Sequence, residues 1–444
     1  MRVLTGIATK WAALLLCGGG LLGMGMGMGV GVAHAAKAVV RPPAAVASEP
    51  KEIQLVHQLG PQREEALKQL VERFNERSKD YRLSVRTGTW SDDGSPHLMI
   101  LPDEDMERFL AGKPRYKALS AVMREGGVPL PALKPPAIMA RALVDAKGRL
   151  LALPVGLSTP VLYINRGEFR RVGLDPDAPL KTWFELQQAL GRLFDSGSTC
   201  PYTVSQPGRV MIENTSAWHN EPVSARQGKS ERPSFNGMLQ VKHVAMMASW
   251  HRARYLRIFG AESEAEQRFA SGECAVVAAP SASWTDFRRT AEFEVGIAPL
   301  PYHEDFPGAP QNTLADGAAM WVAAGKRPAE YKAIARFVGF WLQPENQVVW
   351  QRESGYLPLN RAGVFAAQSE VLGPELENIK VAVSQLNNKP ATVESSASPI
   401  AGHARMLDIL DEELSAVWAD RKPAKEALDN ATTRVQAAVA PVVR

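Results

Sequence analysis

The chain is 444 residues long, 45% apolar and 22% charged, with 51 Lys and Arg against 47 Asp and Glu for a net charge of +4. This composition excludes a disordered, collagen-like or coiled-coil protein, and the length suits two to three domains of about 150 residues. So small a charge, with bases and acids interspersed and no basic run, leaves no footprint for nucleic acid.

Arg2 and Lys10 precede an apolar stretch from Trp11 to Leu22, followed by Gly/Met repeats and Ala33-His34-Ala35. A charged start, a short apolar core and an A-x-A site describe a secretory signal peptide over residues 1–35. The rival reading is a retained membrane anchor, which the glycines between Gly23 and Val32 weaken. Lipid attachment at Cys17 is the other rival, and Leu16 is too large to precede a lipidated cysteine. Beyond the leader no segment reaches the roughly 18 uninterrupted apolar residues of a membrane span. Two cysteines remain there, Cys200 and Cys274. In an exported chain they form one disulfide or stand as two separate buried thiols. Without His at ligand spacing they cannot complete a four-ligand metal site.

Residues 36–50, rich in Pro, Ala and Val, read as a flexible tether. Glu52 to His57 alternates like a strand, and Gln58-Leu-Gly-Pro61 turns the chain. A helix follows from Arg63 to Arg77, because Leu67, Leu70, Val71 and Phe74 share one face. Tyr81 to Val85 and His97 to Leu101 are the next strands. This alternation marks an α/β layer with a mostly parallel sheet. Leu151 to Pro154 and Val161 to Asn165 are extended and flank a loop, Gly156-Leu-Ser158-Thr-Pro160. Thr182-Trp-Phe-Glu185 is a capping box that opens a helix through Leu193. The pattern continues with a helix over Val241–Arg254 and strands over Ala275–Ala279 and Phe293–Leu300. Helices over Ala329–Leu342, Glu345–Arg352, Arg405–Ala419 and Ala424–Val439 complete it. Two β/α series in roughly 400 exported residues predict two lobes rather than one large sheet.

Motifs for chemistry fail one by one. Gly228-Lys229-Ser230 ends like a phosphate loop, but Val223 stands where its first glycine must be. Gly156-Leu-Ser158-Thr-Pro160 imitates a nucleophile elbow with Pro160 in place of the final glycine. No two His are spaced i, i+4 as a zinc-protease helix requires. The triplet Asp411-Glu412-Glu413 reads as a solvated helix face. No catalytic constellation and no cofactor motif emerges. Trp321, Trp341 and Trp350 fall in strand or helix patterns and read as packing. Ser158 and Tyr356 sit between Gly and Pro in loops, where side chains can point into a cleft.

Several runs carry a resemblance. Ser158-Thr-Pro-Val-Leu-Tyr-Ile-Asn165, Lys181-Thr-Trp183 and Glu213-Asn-Thr-Ser-Ala-Trp218 resemble extracellular solute-binding proteins. So do Ala309-Pro-Gln-Asn312, Gly355-Tyr-Leu-Pro358 and Asp411-Glu-Glu-Leu-Ser-Ala-Val-Trp418. From roughly Glu52 to Gln436 the order matches, and the set is most similar to the sn-glycerol-3-phosphate-binding branch of ABC importers. The resemblance implies a periplasmic binding protein fold, an α/β chain of two lobes joined by a hinge around an interlobe ligand cleft. Lobe one would take residues 51–153 and 316–357, and lobe two 154–315 and 358–444. It also implies periplasmic location, a monomer, and partners in two membrane permease subunits and an ATPase. Both Cys200 and Cys274 have counterparts in the family.

The family's ligand-binding positions fall on Ser158, Gly317 and Tyr356. Its glutamate falls on Asp103 and its early tyrosine near Trp90. A second family serine falls on Pro280, with Ser281 adjacent. The family's arginine for the phosphate falls on Leu407, with Arg405 two positions away, and its cleft tryptophans fall on Gln206 and Arg209. A phosphate buried without an arginine is poorly compensated, so Arg209, Arg405 or a helix N-terminus has to answer it. Otherwise the ligand differs, and a sugar or another polyol is the alternative. A secreted glycoside-active enzyme would need two carboxylates across a pocket, and the comparison supplies only Asp103.

Overall fold

The computed structural model describes residues 50–88, 96–102, 106, 109–110, 115–131, 143–145, 147–178, 180–227, 230–261, 263–358, 373–395 and 402–439. The leader, the tether up to residue 49, Trp90 and Asp103 lie outside them. Residues 49–444 form one compact unit.

In chain order the described strands are β1 (Lys51–His57), β2 (Tyr81–Thr87), β3 (Leu98–Pro102), β4 (Leu153–Ser158), β5 (Pro160–Asn165) and β6 (Tyr202–Val204). They continue with β7 (Ser224–Gln227), β8 (Ser230–Pro233), β9 (Leu256–Arg257), β10 (Val276–Pro280), β11 (Val295–Ala298) and β12 (Asp316–Val322). Two five-stranded sheets result, ordered β2-β1-β3-β12-β4 and β11-β5-β10-β6-β9, with β7 and β8 as a separate hairpin.

In the first sheet β1 pairs in parallel with β2 and β3. β12 then inserts antiparallel between β3 and β4. Both faces of this sheet are covered, as its apolar strands require. Leu98, Ile100, Ala318, Met320 and Val322 pack into one core, while Met99, Leu101, Ala319 and Trp321 pack into another. The helix Pro61–Arg77 covers the first face. Its predicted apolar stripe, Leu67, Leu70, Val71 and Phe74, is buried.

The second sheet is built on β5 and β10, which pair antiparallel, and β6 lies parallel to β10. Cys200 and Cys274 lead into β6 and β10 and are joined by a disulfide. The bond staples the starts of two neighbouring strands, where Ala275 N–H also donates to the Cys200 carbonyl at 2.9 Å. The capping box forms as predicted. Thr182 Oγ1 accepts from Glu185 N–H at 3.1 Å and Glu185 returns the bond to Thr182 N–H at 2.9 Å. Trp321, Trp341 and Trp350 are buried packing residues.

Among the described residues the chain passes between the sheets three times. β4 runs into β5 across Thr159 alone, residues 299–315 lead from β11 to β12, and residues 355–358 leave the helix Pro344–Ser354. The expected division after Leu153 therefore falls inside the first sheet, because β4 pairs with β12 as far as Ser158. Residues 156–158, read as loop, are strand for the same reason.

Two other features differ from expectation. β12 was not singled out, since an unbroken apolar run carries no period that separates strand from buried helix. Asp411-Glu412-Glu413 is not a solvated face. Asp411 Oδ1 accepts from Gly208 N–H at 2.8 Å. Glu413 is buried between Lys422 and Arg434, at 2.5 and 2.8 Å.

Candidate functional site

Between the two sheets, at the crossings, lies a cavity of about 210 Å³ lined by Arg63, Ser158, Arg209, Asp316, Gly317 and Tyr356, with Gln58, Leu59, Gly60, Pro102, Gln206, Pro280 and Ala282 completing the wall. Three of the five residues expected from the sequence, Ser158, Gly317 and Tyr356, meet there. Trp90 and Asp103 lie outside the described residues, although Pro102, the neighbour of Asp103, lines the cavity.

Each of the three is placed by a different crossing. Ser158 ends β4 and is only 1% exposed. Its Oγ accepts from Ala282 N–H at 3.2 Å and lies 3.3 Å from Ser281 Oγ. Thus Ser281 supplies a hydroxyl beside Pro280, where the family serine falls. Gly317 stands at φ 144°, and a Cβ there would sit 2.1 Å from the Gly156 carbonyl oxygen. The wall closes at this point only because the residue is glycine. Tyr356 follows Gly355, which ends the helix Pro344–Ser354 in the left-handed region at φ 78°. Its ring lies against Gly156, where a Cβ would come within 2.7 Å of it.

Two cations line the same cavity. Arg63 lies in the first turn of Pro61–Arg77. Its Nε donates to the Ser354 carbonyl at 3.2 Å, and its guanidinium lies 4.9 Å from the Tyr356 ring centroid. Arg209 projects from a π-helical segment, Gly208–Asn214, and its Nη1 is 3.6 Å from Asp316 Oδ2. The helix Pro61–Arg77 also begins at the cavity. Its N-cap, Gly60, offers no side-chain cap, so first-turn N–H groups remain for a ligand.

Charges behind this wall have their own partners. Glu213 lies 2.8 Å from His403 Nε2, which with Arg209 holds its carboxyl below the usual range although burial opposes this. Burial pushes the Asp411 carboxyl up to about 6 despite its bond to Gly208. Arg405 is in another place. It is exposed, pairs with Asp408 and Glu412 at 3.6 and 3.4 Å, and lines a separate cavity of about 780 Å³. Leu407 packs against the helical core formed by His403–Trp418 and Ala424–Val439. Of the two arginines considered for the phosphate, Arg209 reaches the interlobe wall and Arg405 does not.

Sequence reasoning missed Arg63. Its one signal was position, two residues after the Gly60-Pro61 helix start. No group of three or more His, Cys, Asp and Glu able to hold a metal occurs among the described residues. Nor is any described helix long and apolar enough to cross a membrane.

The arrangement can do one thing chemically. It can surround a small anion with two guanidiniums, hydroxyls and backbone N–H groups supplied from both sheets. Residues 110–369 match the model of the bacterial extracellular solute-binding protein family. The sn-glycerol-3-phosphate-binding periplasmic protein of Yersinia enterocolitica is 32% identical over 382 residues, which cover 82% of this chain and 87% of the relative. Its counterpart in Pectobacterium atrosepticum is 36% identical over 295 residues, 65% of this chain and 66% of the relative.

Among solved structures, the Mycobacterium tuberculosis protein UgpB in complex with glycerophosphocholine superposes with a TM-score of 0.69 at 18% identity, covering 88% of this chain and 98% of the other. A substrate-binding protein of Listeria monocytogenes in complex with cycloalternan gives 0.70 at 14% identity, over 88% and 99%. These two likenesses bear on the fold alone: a two-lobed α/β periplasmic binding protein architecture.

Proposed function

The chain belongs to the bacterial extracellular solute-binding protein family, and from that premise we propose that it captures a glycerol-phosphate compound in the periplasm for an ABC importer. The ligand is sn-glycerol 3-phosphate or a glycerophosphodiester, held in the interlobe cleft by Ser158, Gly317 and Tyr356, with Trp90 and Asp103 as the further ligand-binding residues. One jaw is residues 51–158 and 316–357. The other is residues 159–315 with the helices after residue 358. A cleavable leader exports the chain as a monomer. Two permease subunits and an ATPase take the solute from the closed form, and the protein performs no reaction on it.

One observation carries this reading: Arg63 and Arg209 line a single small cavity from opposite jaws. A neutral sugar leaves the charge of two guanidiniums unanswered in the closed cleft, whereas a phosphate accepts from both and compensates it. Because the donors come from both jaws, the phosphate binds the closed state more tightly than the open one and shifts the population toward it. Calorimetry with sn-glycerol 3-phosphate, glycerophosphocholine and a few disaccharides tests the reading. Binding of a phosphate, weakened about tenfold or more in Arg63→Gln and Arg209→Gln, is the expected outcome. Heat from a disaccharide with none from either phosphate rejects it.

A further inference from the structure

Resting on that reading of the cleft, we propose that Asp316 is a specificity-determining residue, which sets the cleft for a phosphodiester monoanion over a phosphomonoester dianion.

Asp316 opens β12 directly opposite Ser158, at the wall of the cavity. Its Oδ2 lies 3.6 Å from Arg209 Nη1, and the two side chains are only 14% and 11% exposed. The next residue is Gly317, whose backbone is pressed against the Gly156 carbonyl. The carboxylate therefore cannot swing away by moving its strand. It is a built part of the floor.

The charges then decide. Among the described lining residues are two guanidiniums and one carboxylate, a surplus of one positive charge. A phosphodiester carries one negative charge and brings the closed cleft to neutrality. A phosphomonoester carries about −1.5 to −2 at pH 7. Its extra charge has no cation left and faces the Asp316 carboxylate. In a cleft that excludes water on closure, an uncompensated charge is costly, and a like pair more so. Nearby acids do not reverse the balance. Glu213 lies toward Arg209 and His403, and Asp286 toward Arg63; as acids they can only add to the negative side, and neither lines the cavity.

The test is calorimetry on the intact protein and on Asp316→Asn. The probes are sn-glycerol 3-phosphate, sn-glycero-3-phosphocholine and glycerophosphoglycerol, the last separating diester charge from the choline cation. At about pH 7.5 both diesters bind the wild type about tenfold or more tightly than the monoester. Asp316→Asn shrinks that ratio about tenfold, mainly by tightening the monoester. Lowering the pH to about 5.5 protonates the monoester, whose second pKa is near 6. Its affinity for the wild type then rises relative to the diesters, a response that a purely structural Asp316 would not produce. If Asp316→Asn does not fold, this pH arm on the wild type decides alone. Equal monoester and diester affinities in the wild type, or a ratio unmoved in Asp316→Asn, overturn the role of Asp316 while leaving the glycerol-phosphate site intact. No binding of any of the three phosphates brings down the ligand reading and the selectivity with it.

Discussion

Three histidines behind the cleft predict how the fold responds to acid. His219, His243 and His303 are exposed by 1%, 1% and 5%. His303 N–H donates to His219 Nε2 at 2.7 Å, so that nitrogen carries no proton, and Nδ1 donates instead to the Thr215 carbonyl at 2.6 Å. His243 Nδ1 and His303 Nε2 lie 3.2 Å apart and share one hydrogen between them. His219 is therefore neutral by geometry, and so is at least one ring of the His243–His303 pair. A proton added at His219 Nε2 would set two donors face to face.

Burial pushes His219 down to about 4 and His303 to about 3, and it holds His243 well below its ordinary value. A histidine lowered in the folded state stabilises the fold fully above pH 6.5 or so. That contribution is lost as the pH falls from there toward the folded value. At pH 5, about 1.5 units below the unfolded value, His219 and His303 each cost about 2 kcal/mol. Asp411 and Glu266, both raised by burial to about 6, have the opposite sign and return about 1.3 kcal/mol each by pH 5. The net loss is about 1.5 kcal/mol before His243 adds its share, which corresponds to roughly 3–6 °C in melting temperature for a lobe of about 200 residues. Acids lowered by ion pairs, such as Glu330 at about 2, act only below their unfolded range and do not contribute in this window.

Calorimetric melts from pH 7.5 to 5.0 measure the effect, and His243→Gln should flatten the slope. The reasoning is refuted if the melting temperature is level across that range. It is equally refuted if the ring protons of these three histidines titrate near pH 6.5 in the folded protein.

Four further outcomes follow from the site and its frame. Gly317→Ala drives a Cβ into the Gly156 carbonyl, so it should cost about 2 kcal/mol or more in urea melts and abolish ligand heat. Arg405→Ala should leave ligand affinity within about twofold in calorimetry, since Arg405 pairs with Asp408 and Glu412 away from the interlobe cavity. Replacing Cys200 and Cys274 by Ser opens a loop of 74 residues' separation and should lower unfolding stability by about 2–5 kcal/mol in denaturant titrations. Thr182→Ala removes the cap of its helix and should cost about 1 kcal/mol, read the same way.

The order of helices and strands was legible because it is written in local periods. The stripe on Pro61–Arg77 and the Thr182 capping box needed no distant partner to be read. What was not legible depends on partners far along the chain. β12 enters the first sheet between β3 and β4 after the whole second sheet has been made, and no local pattern announces that insertion. Ser158 and Tyr356 stood out by their Gly/Pro-flanked positions as well as by resemblance, whereas Gly317 came from resemblance alone, and the backbone now gives a physical reason for the glycine. Arg63 escaped because an arginine in a first helical turn looks like a solvent residue. Its partner is the Ser354 carbonyl, 291 residues away. Arg209 was considered only as the replacement of an aromatic, and its value depends on the folding of Gly208–Asn214 against Asp411.

The position of the three converging residues on the three crossings has a mechanical consequence. Thr159, the one residue between β4 and β5, donates its hydroxyl toward Thr313 Oγ1 at 2.7 Å and the Leu314 carbonyl at 2.8 Å, which ties the first crossing to the second. Leu357 N–H donates to the Leu157 carbonyl at 2.7 Å and ties the third to the first. The crossings are thus laced into one small bundle, and the cavity lies against it rather than out at the rims of the lobes. A solute touching Ser158, Gly317 and Tyr356 restrains all three segments at once, so a small molecule needs few contacts to bias a large angular change. In the proposed reading the arginines serve a separate purpose. Arg63 and Arg209 stand on elements beyond the bundle, one for each jaw, and a shared anion lets jaw closure depend on ligand charge as well as on ligand size.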